Sequence, residues 1–267
     1  MSYFGRAFMF DSVPCEEYDL MLYDVGGADD NDFKAPGIGD VIEETVGDKW
    51  KPYFFGVKPA AKLEFDIVFG VNEDRIDNYK YLDRYEVAAV AAWLTGHNEY
   101  KWLFIDQPDM RPFGYRCIIK DLDVTRYGKV PWALKAHVIC DSPYAYLEEM
   151  KTGITVNGTK QLEFFNASSL GGFYYPKLTF RRTSGTAFSV KNAQDSNRGP
   201  SFTGIPSSVT SIAIDNEHGV ITNNQNLNLY DKFNFQFLRL ARGYNNLTIT
   251  GTGTLDIICE FPVNVGG

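Results

Sequence analysis

The chain is poor in the residues and spacings that chemistry usually needs. It has three histidines in 267 residues, His97, His137 and His218, and no HExxH pair. The helix-borne zinc site of metalloproteases is therefore excluded. Four cysteines, Cys15, Cys117, Cys140 and Cys259, form no CxxC site. Three of them lie in apolar, strand-like runs, where a buried free thiol is the expected state. Gly251-Thr252-Gly253 lacks the third glycine and the following helix of a dinucleotide loop, and no GxSxG elbow occurs. Asp29-Asp30-Asn31-Asp32 lacks the central glycine and distal glutamate of an EF-hand and reads as a solvated acidic turn. His137 falls inside a strand-like run and reads as a strand-face residue, with no nucleophile paired to it. No catalytic, cofactor-binding or metal-binding residues are assigned, and the chain reads as a non-enzyme that uses no cofactor. No run of about 18 apolar residues occurs, so no membrane span and no membrane partner are expected. Met1–Phe10 has no basic segment followed by an apolar core, so a secretory signal is not expected and synthesis in a cytoplasm is.

What is present is aromatic and alternating. Phe, Tyr and Trp make up 15% of the residues, with 20 Phe and 16 Tyr, types that suit strands and interfaces. A period of two runs through Phe8 and Phe10, through Leu63, Phe65, Ile67 and Phe69, and through Ile212/Ile214, Phe233/Phe235/Phe237, Leu247/Ile249 and Leu255/Ile257. Turn-forming clusters such as Asn216–Gly219 and Gly243–Asn246 separate these runs. Tyr53–Val71 contains Gly56 and Pro59 and reads as two strands with a bend. One helix is predicted. Asp83 with Glu86 three residues on resembles a capping box, Tyr85, Ala88, Ala89, Ala92 and Trp93 form its stripe, and Gly96 stops it. A single amphipathic helix among strands is expected to cover a sheet face.

Charge divides the chain. Residues 1–150 carry 27 acidic and 16 basic side chains, a net −11, whereas residues 151–267 carry 7 and 10, a net +3. Two domains are expected, 1–147 and 148–267, with Glu148–Lys151 as a linker. The acidic first half argues against direct nucleic-acid binding there.

The ordered set of segments resembles the distal tail (Dit) protein family of siphophages. In the first half the resemblance rests on Phe8–Ser12 (FMFDS), on Trp93-Leu94 followed by Tyr100–Asp109 (YKWLFIDQPD), and on Tyr115 with Cys117. In the second half it rests on Ile214-Asp215 to Gly219-Val220-Ile221, and on Phe237–Leu240 followed by Gly243–Gly251 (GYNNLTITG). Either Asn245 or Asn246 can take the family asparagine position. The second half, about 115 residues, leaves no room for an inserted sugar-binding module.

The resemblance implies a mainly β fold: an N-terminal β-sandwich-like domain with one helix and a projecting hairpin, then a C-terminal galectin-like β-sandwich. It also implies a structural virion protein at the tail tip, a homohexameric ring that leaves a channel for DNA in transit. Its partners would be other copies of itself, the major tail-tube protein, a tail-associated lysin or fibre protein and receptor-binding proteins. A hairpin within Asp40–Lys62 is expected to embrace the adjacent subunit through Trp50, Tyr53 and Phe54. Phe173, Tyr174 and Tyr175 are candidates for contact with sugar or with a partner. The competing reading is a carbohydrate-binding adhesin that touches the host wall.

Overall fold

The computed structural model describes residues 7–25, 40–47, 49–58, 61–72, 75–76, 78, 80–106, 111–127 and 130–265. The chain divides into two compact units, residues 1–146 with 264–267, and residues 147–263.

In the first unit, seven strands pair antiparallel in the order β2–β1–β7–β8–β9–β6–β3. They are β1 (Phe8–Phe10), β2 (Val13–Pro14), β3 (Leu20–Val25), β6 (Glu64–Val71), β7 (Lys101–Ile105), β8 (Phe113–Tyr127) and β9 (Val130–Cys140). The two ends of this order, β2 and β3, are joined only by the 3-10 turn Cys15–Tyr18 and Asp19, so the sheet must curl back on itself. Across the curl, the Phe8 ring meets Phe69 at 5.0 Å. Phe8, Phe10, Leu20, Leu22, Ile67, Phe69, Leu103 and Tyr115 are fully buried inside it. The alternation read from the sequence therefore places each strand's inward residues as expected.

Helix α1 (Arg84–Thr95) starts on the predicted capping box. Asp83 Oδ1 accepts from the Tyr85 and Glu86 N–H groups at 2.7 and 2.8 Å, and Glu86 Oε2 accepts from Asp83 N–H at 2.7 Å. The buried face differs from the expected stripe. Val90, Trp93 and Leu94 point inward, Ala88, Ala89 and Ala92 are exposed, and Tyr85 is 86% exposed. Alanines contribute little area, so the three bulky side chains set the rotation of the helix. Trp93 stacks on Tyr18 at 4.7 Å, and its Nε1–H donates to the Phe10 carbonyl at 3.2 Å. The helix thereby closes one end of the curled sheet.

The chain leaves the first unit inside β10 (Ala145–Asn166). Glu148–Lys151, expected as a linker, is continuous strand. In the second unit the order is β14–β13–β11–β15–β10, with β12 also on β11. The strands are β11 (Lys177–Asn192), β12 (Ser201–Thr203), β13 (Ser211–Asp215), β14 (Val220–Asn223) and β15 (Gly243–Val263). β11 and β15 run together from Lys177↔Ile258 to Asn192↔Leu247, with register shifts between Arg182 and Ser189. At that irregularity the ribbon folds over. Its first half pairs with β13 and its second half with β12. Phe180 and Phe188, one from each half, stack at 3.9 Å inside the fold. The stack continues through Phe202 to Phe233. Gly253 makes the bend possible: at φ +157° a Cβ there would sit 2.1 Å from the Arg181 carbonyl oxygen. The Gly-Thr-Gly motif thus serves close backbone approach within one bent strand.

Phe233/Phe235/Phe237, which alternates like a strand, is not one. A 3-10 turn over Tyr230–Lys232 precedes it, Phe235 lies in the left-handed region at φ +58°, and the Asn234 carboxamide accepts from the Ser201 and Gln236 N–H groups and donates to the Gly199 carbonyl. Local side-chain bonding has displaced the ladder.

Candidate assembly surfaces

β4 (Val41–Glu44) and β5 (Tyr53–Val57) form a two-stranded sheet that pairs with no other strand among the described residues. At its base Lys58 N–H donates to the Asp40 carbonyl at 2.9 Å, and Lys58 Nζ meets Asp40 Oδ2 at 3.2 Å. The register shifts at the Ile42–Glu43 step, opposite which β5 carries the extra residue Phe55. Trp50 is 94% exposed and Phe54 and Phe55 are each 65% exposed, and Val41, Ile42, Val46, Tyr53 and Val57 are exposed as well. The structure therefore gathers Trp50, Tyr53 and Phe54 on one free hairpin. It adds Phe55 and Ile42, which the sequence reading had not singled out although they neighbour the chosen residues. An isolated two-stranded hairpin is at best marginal in water, and contiguous exposed apolar surface marks interaction sites.

The aromatic run of the second unit is divided by its own geometry. Tyr174 faces inward: it bridges to Leu240, packs against Phe261 at 4.7 Å, and its hydroxyl accepts from Glu260 N–H at 2.7 Å. Burial pushes its hydroxyl pKa well above the ordinary value. Phe173 and Tyr175 face the other way and are partly exposed. The Arg239 guanidinium lies 4.1 Å from the Phe173 ring centre and is forked onto Asp195 at 2.7 and 2.8 Å. One face of Phe173 is therefore already covered by a cation. Beneath this surface, Asn245 is fully buried. Its carboxamide bonds the Ala241 N–H, the Ala241 and Gly243 carbonyls and Asn192 Nδ2 at 2.7–2.9 Å. Asn246 is exposed. Of the two asparagines left open by the sequence, Asn245 is the one the fold depends on.

The charged residues of the first unit are dispersed. His137 lies on β9, half-buried, with Nδ1 2.8 Å from Asp66 Oδ1 and Nε2 3.8 Å from Glu64. Lys135 Nζ meets the other Asp66 oxygen at 2.8 Å. Burial works to raise the Asp66 pKa, but the hydrogen bonds from Lys135 and His137 outweigh it and hold the carboxyl below its ordinary value. No group of three or more metal-ligating side chains occurs among the described residues. Asp29–Asp32 lies outside the described residues.

A family model for the phage tail protein N-terminal domain matches residues 4–142, and one for the phage tail C-terminal domain matches residues 144–259. The chain belongs to this family of phage tail proteins. No curated protein sequence matches it. Among solved structures, the Dit protein of phage SPP1, titled a paradigm of the hub adsorption apparatus in phages infecting Gram-positive bacteria, is similar with a TM-score of 0.64 at 12% identity. That likeness covers 96% of this chain and 98% of that one. A chain of the phage P2 baseplate, in its activated conformation with calcium, is similar with a TM-score of 0.54 at 10% identity, over 96% and 98%. At these identities the likeness is one of fold, and it runs the length of all three chains. The protein is thus a phage tail protein, mainly β with a helix in its first half, whose fold is like that of the Dit protein.

Proposed function

We propose that six copies of this tail protein form a ring at the distal end of the tail. The ring joins the tail tube on one side to a tail-associated lysin or fibre protein on the other and leaves a channel for DNA. The observation that carries this reading is the β4–β5 hairpin, a narrow arm that pairs with no other described strand and leaves Trp50, Phe54 and Phe55 largely exposed. A closed ring uses two different surfaces on each subunit. An arm that lies on the next subunit supplies one of them, with Trp50, Tyr53, Phe54 and Phe55 as its anchors. Burying each such side chain is worth roughly 1.5–3 kcal/mol, enough for a few of them to offset the cost of ordering the arm. The net −11 of the first 150 residues fits a channel wall that repels phosphates and so lets DNA pass without sticking. Phe173 and Tyr175, partly covered by Arg239, fit contact with a neighbouring tail protein better than stacking on a sugar.

Light scattering and negative-stain imaging of the full chain test the proposal. The intact protein should give sixfold rings, alone or on addition of its tail-tube partner. A variant lacking residues 44–56 should remain a folded monomer under the same conditions. A deletion variant that still forms rings would remove the arm from the interface, and glycan binding by a chain that never assembles would favour the adhesin.

A further inference from the structure

Two of the four cysteines face each other across a strand pair. Cys117 on β8 and Cys140 on β9 are directly opposite in the antiparallel register. The hydrogen-bond parity of the ladder fixes what kind of pair they form. Asp141 N–H donates to the Arg116 carbonyl at 2.8 Å, which makes the adjacent couple, Arg116 and Asp141, the bonded one. Independently, Cys140 N–H donates away from β8, to the Leu63 carbonyl at 2.9 Å. Cys117 and Cys140 therefore occupy a non-hydrogen-bonded position, where opposing Cα atoms approach to about 4.5 Å and their side chains lie on one face of the sheet. That separation is at the near end of the range a disulfide spans. Both residues are fully buried. Cys15 and Cys259 have no such opposite number: Cys15 lies in the 3-10 turn, where its sulfur accepts from Phe8 N–H, and Cys259 lies on β15 in the second unit.

We propose that Cys117 and Cys140 are a latent cross-strand disulfide, a dithiol in the reducing cell that closes when the tail meets a disulfide oxidant outside. Virion surfaces are among the places where disulfides persist, whereas the cytosol keeps thiols reduced. With oxidised glutathione as oxidant, the thiolate of one cysteine attacks a glutathione sulfur, forming a mixed disulfide and releasing one glutathione thiolate. The second cysteine's thiolate then attacks the first cysteine's sulfur, forming the Cys117–Cys140 bond and releasing the second glutathione. Two electrons pass from the pair to glutathione, and the two thiol protons end on the two glutathione thiols. Burial raises the thiol pKa of both residues, that of Cys140 to about 12. Attack on the folded protein is consequently slow and proceeds through local opening of the β8–β9 pair. The bond ties the start of β8 to the end of β9, and a reductant reverses it by the same exchange.

The test is to refold the full-length chain from denaturant in a glutathione redox buffer and to map its disulfides by mass spectrometry. Native reduced protein is held with oxidised glutathione in parallel. The folded product should carry one intramolecular bridge, joining the peptides that contain Cys117 and Cys140, with Cys15 and Cys259 free. In the native arm the two thiols should be lost together and slowly. The bridged protein should melt a few degrees higher than the reduced form, and dithiothreitol should remove the difference. Cys140→Ser should abolish both the bridge and the shift. Folded protein that keeps Cys117 and Cys140 as free thiols in both arms would overturn the proposal, as would one that bridges them to Cys15 or Cys259 or holds them as separate glutathione adducts.

Discussion

The β4–β5 hairpin and the Phe180–Phe188–Phe202–Phe233 stack are built from the same kind of residue and end in opposite states. In the stack every ring is covered by another ring of the same unit. In the hairpin, Trp50, Phe54 and Phe55 are among the most exposed apolar side chains described. Aromatic content alone thus does not separate core from interface. What separates them is whether the strand that carries the rings has neighbours: β11 is flanked on both sides, whereas among the described strands β4 and β5 have only each other.

That contrast can be tested by substitution, beginning where the effect is largest. Phe188→Ala should cost the isolated protein roughly 3–5 kcal/mol, seen as a lower urea midpoint, because it opens a cavity in the middle of the stack. Asn245→Leu follows. It strands the Ala241 N–H and one of the two Asn192 side-chain N–H donors, the other keeping the Arg239 carbonyl, at about 1–3 kcal/mol for each donor left without a partner. Next is acid sensitivity. Asp256 accepts from Gly153 N–H at 2.8 Å and pairs with Arg181. Burial works to raise its pKa, but these bonds outweigh it and the folded value lies below the ordinary 3.8. The stability it contributes is then fully present above pH 3.8 and is lost as the pH falls from there through the lower folded value. Asp256→Asn should remove that part of the acid destabilisation of the second unit, measured by circular dichroism from pH 5 to 2. The hairpin's own ion pair, Asp40–Lys58, is exposed on both sides, and its removal should leave the acid profile unchanged. Phe54→Ser should alter the stability of the lone chain, read from urea unfolding, by less than about 0.5 kcal/mol while weakening assembly. If Phe54→Ser destabilised the monomer as Phe188→Ala does, the hairpin would be packed within its own chain and the contrast would fail.

The sequence made the strands and the helix start legible where one local rule acted alone. The period of two in Leu63–Phe69 and the Asp83/Glu86 box each became what they predict. Reading failed where local rules competed. The helix stripe was assigned by counting apolar positions, and bulk turned it toward Val90 and Leu94. Phe233–Phe237 alternates, yet the Asn234 side chain and the left-handed Phe235 make it a loop. The hairpin aromatics follow from the family resemblance and not from a local pattern. That Asn245 rather than Asn246 is buried, and that Cys117 faces Cys140, depends on registers between distant segments, which no local pattern encodes.

The folding-over of the β11–β15 ribbon has a consequence for how the second unit comes apart. Because the same two strands form the centre of both layers, the outer β13–β14 pair and β12 are held only through β11, and neither layer keeps its central pairing when the other is lost. Unzipping begun at Lys177↔Ile258 or at Asn192↔Leu247 travels through the Gly253 bend into the opposite layer. The second unit should therefore melt in a single step, with no half-formed sandwich along the way.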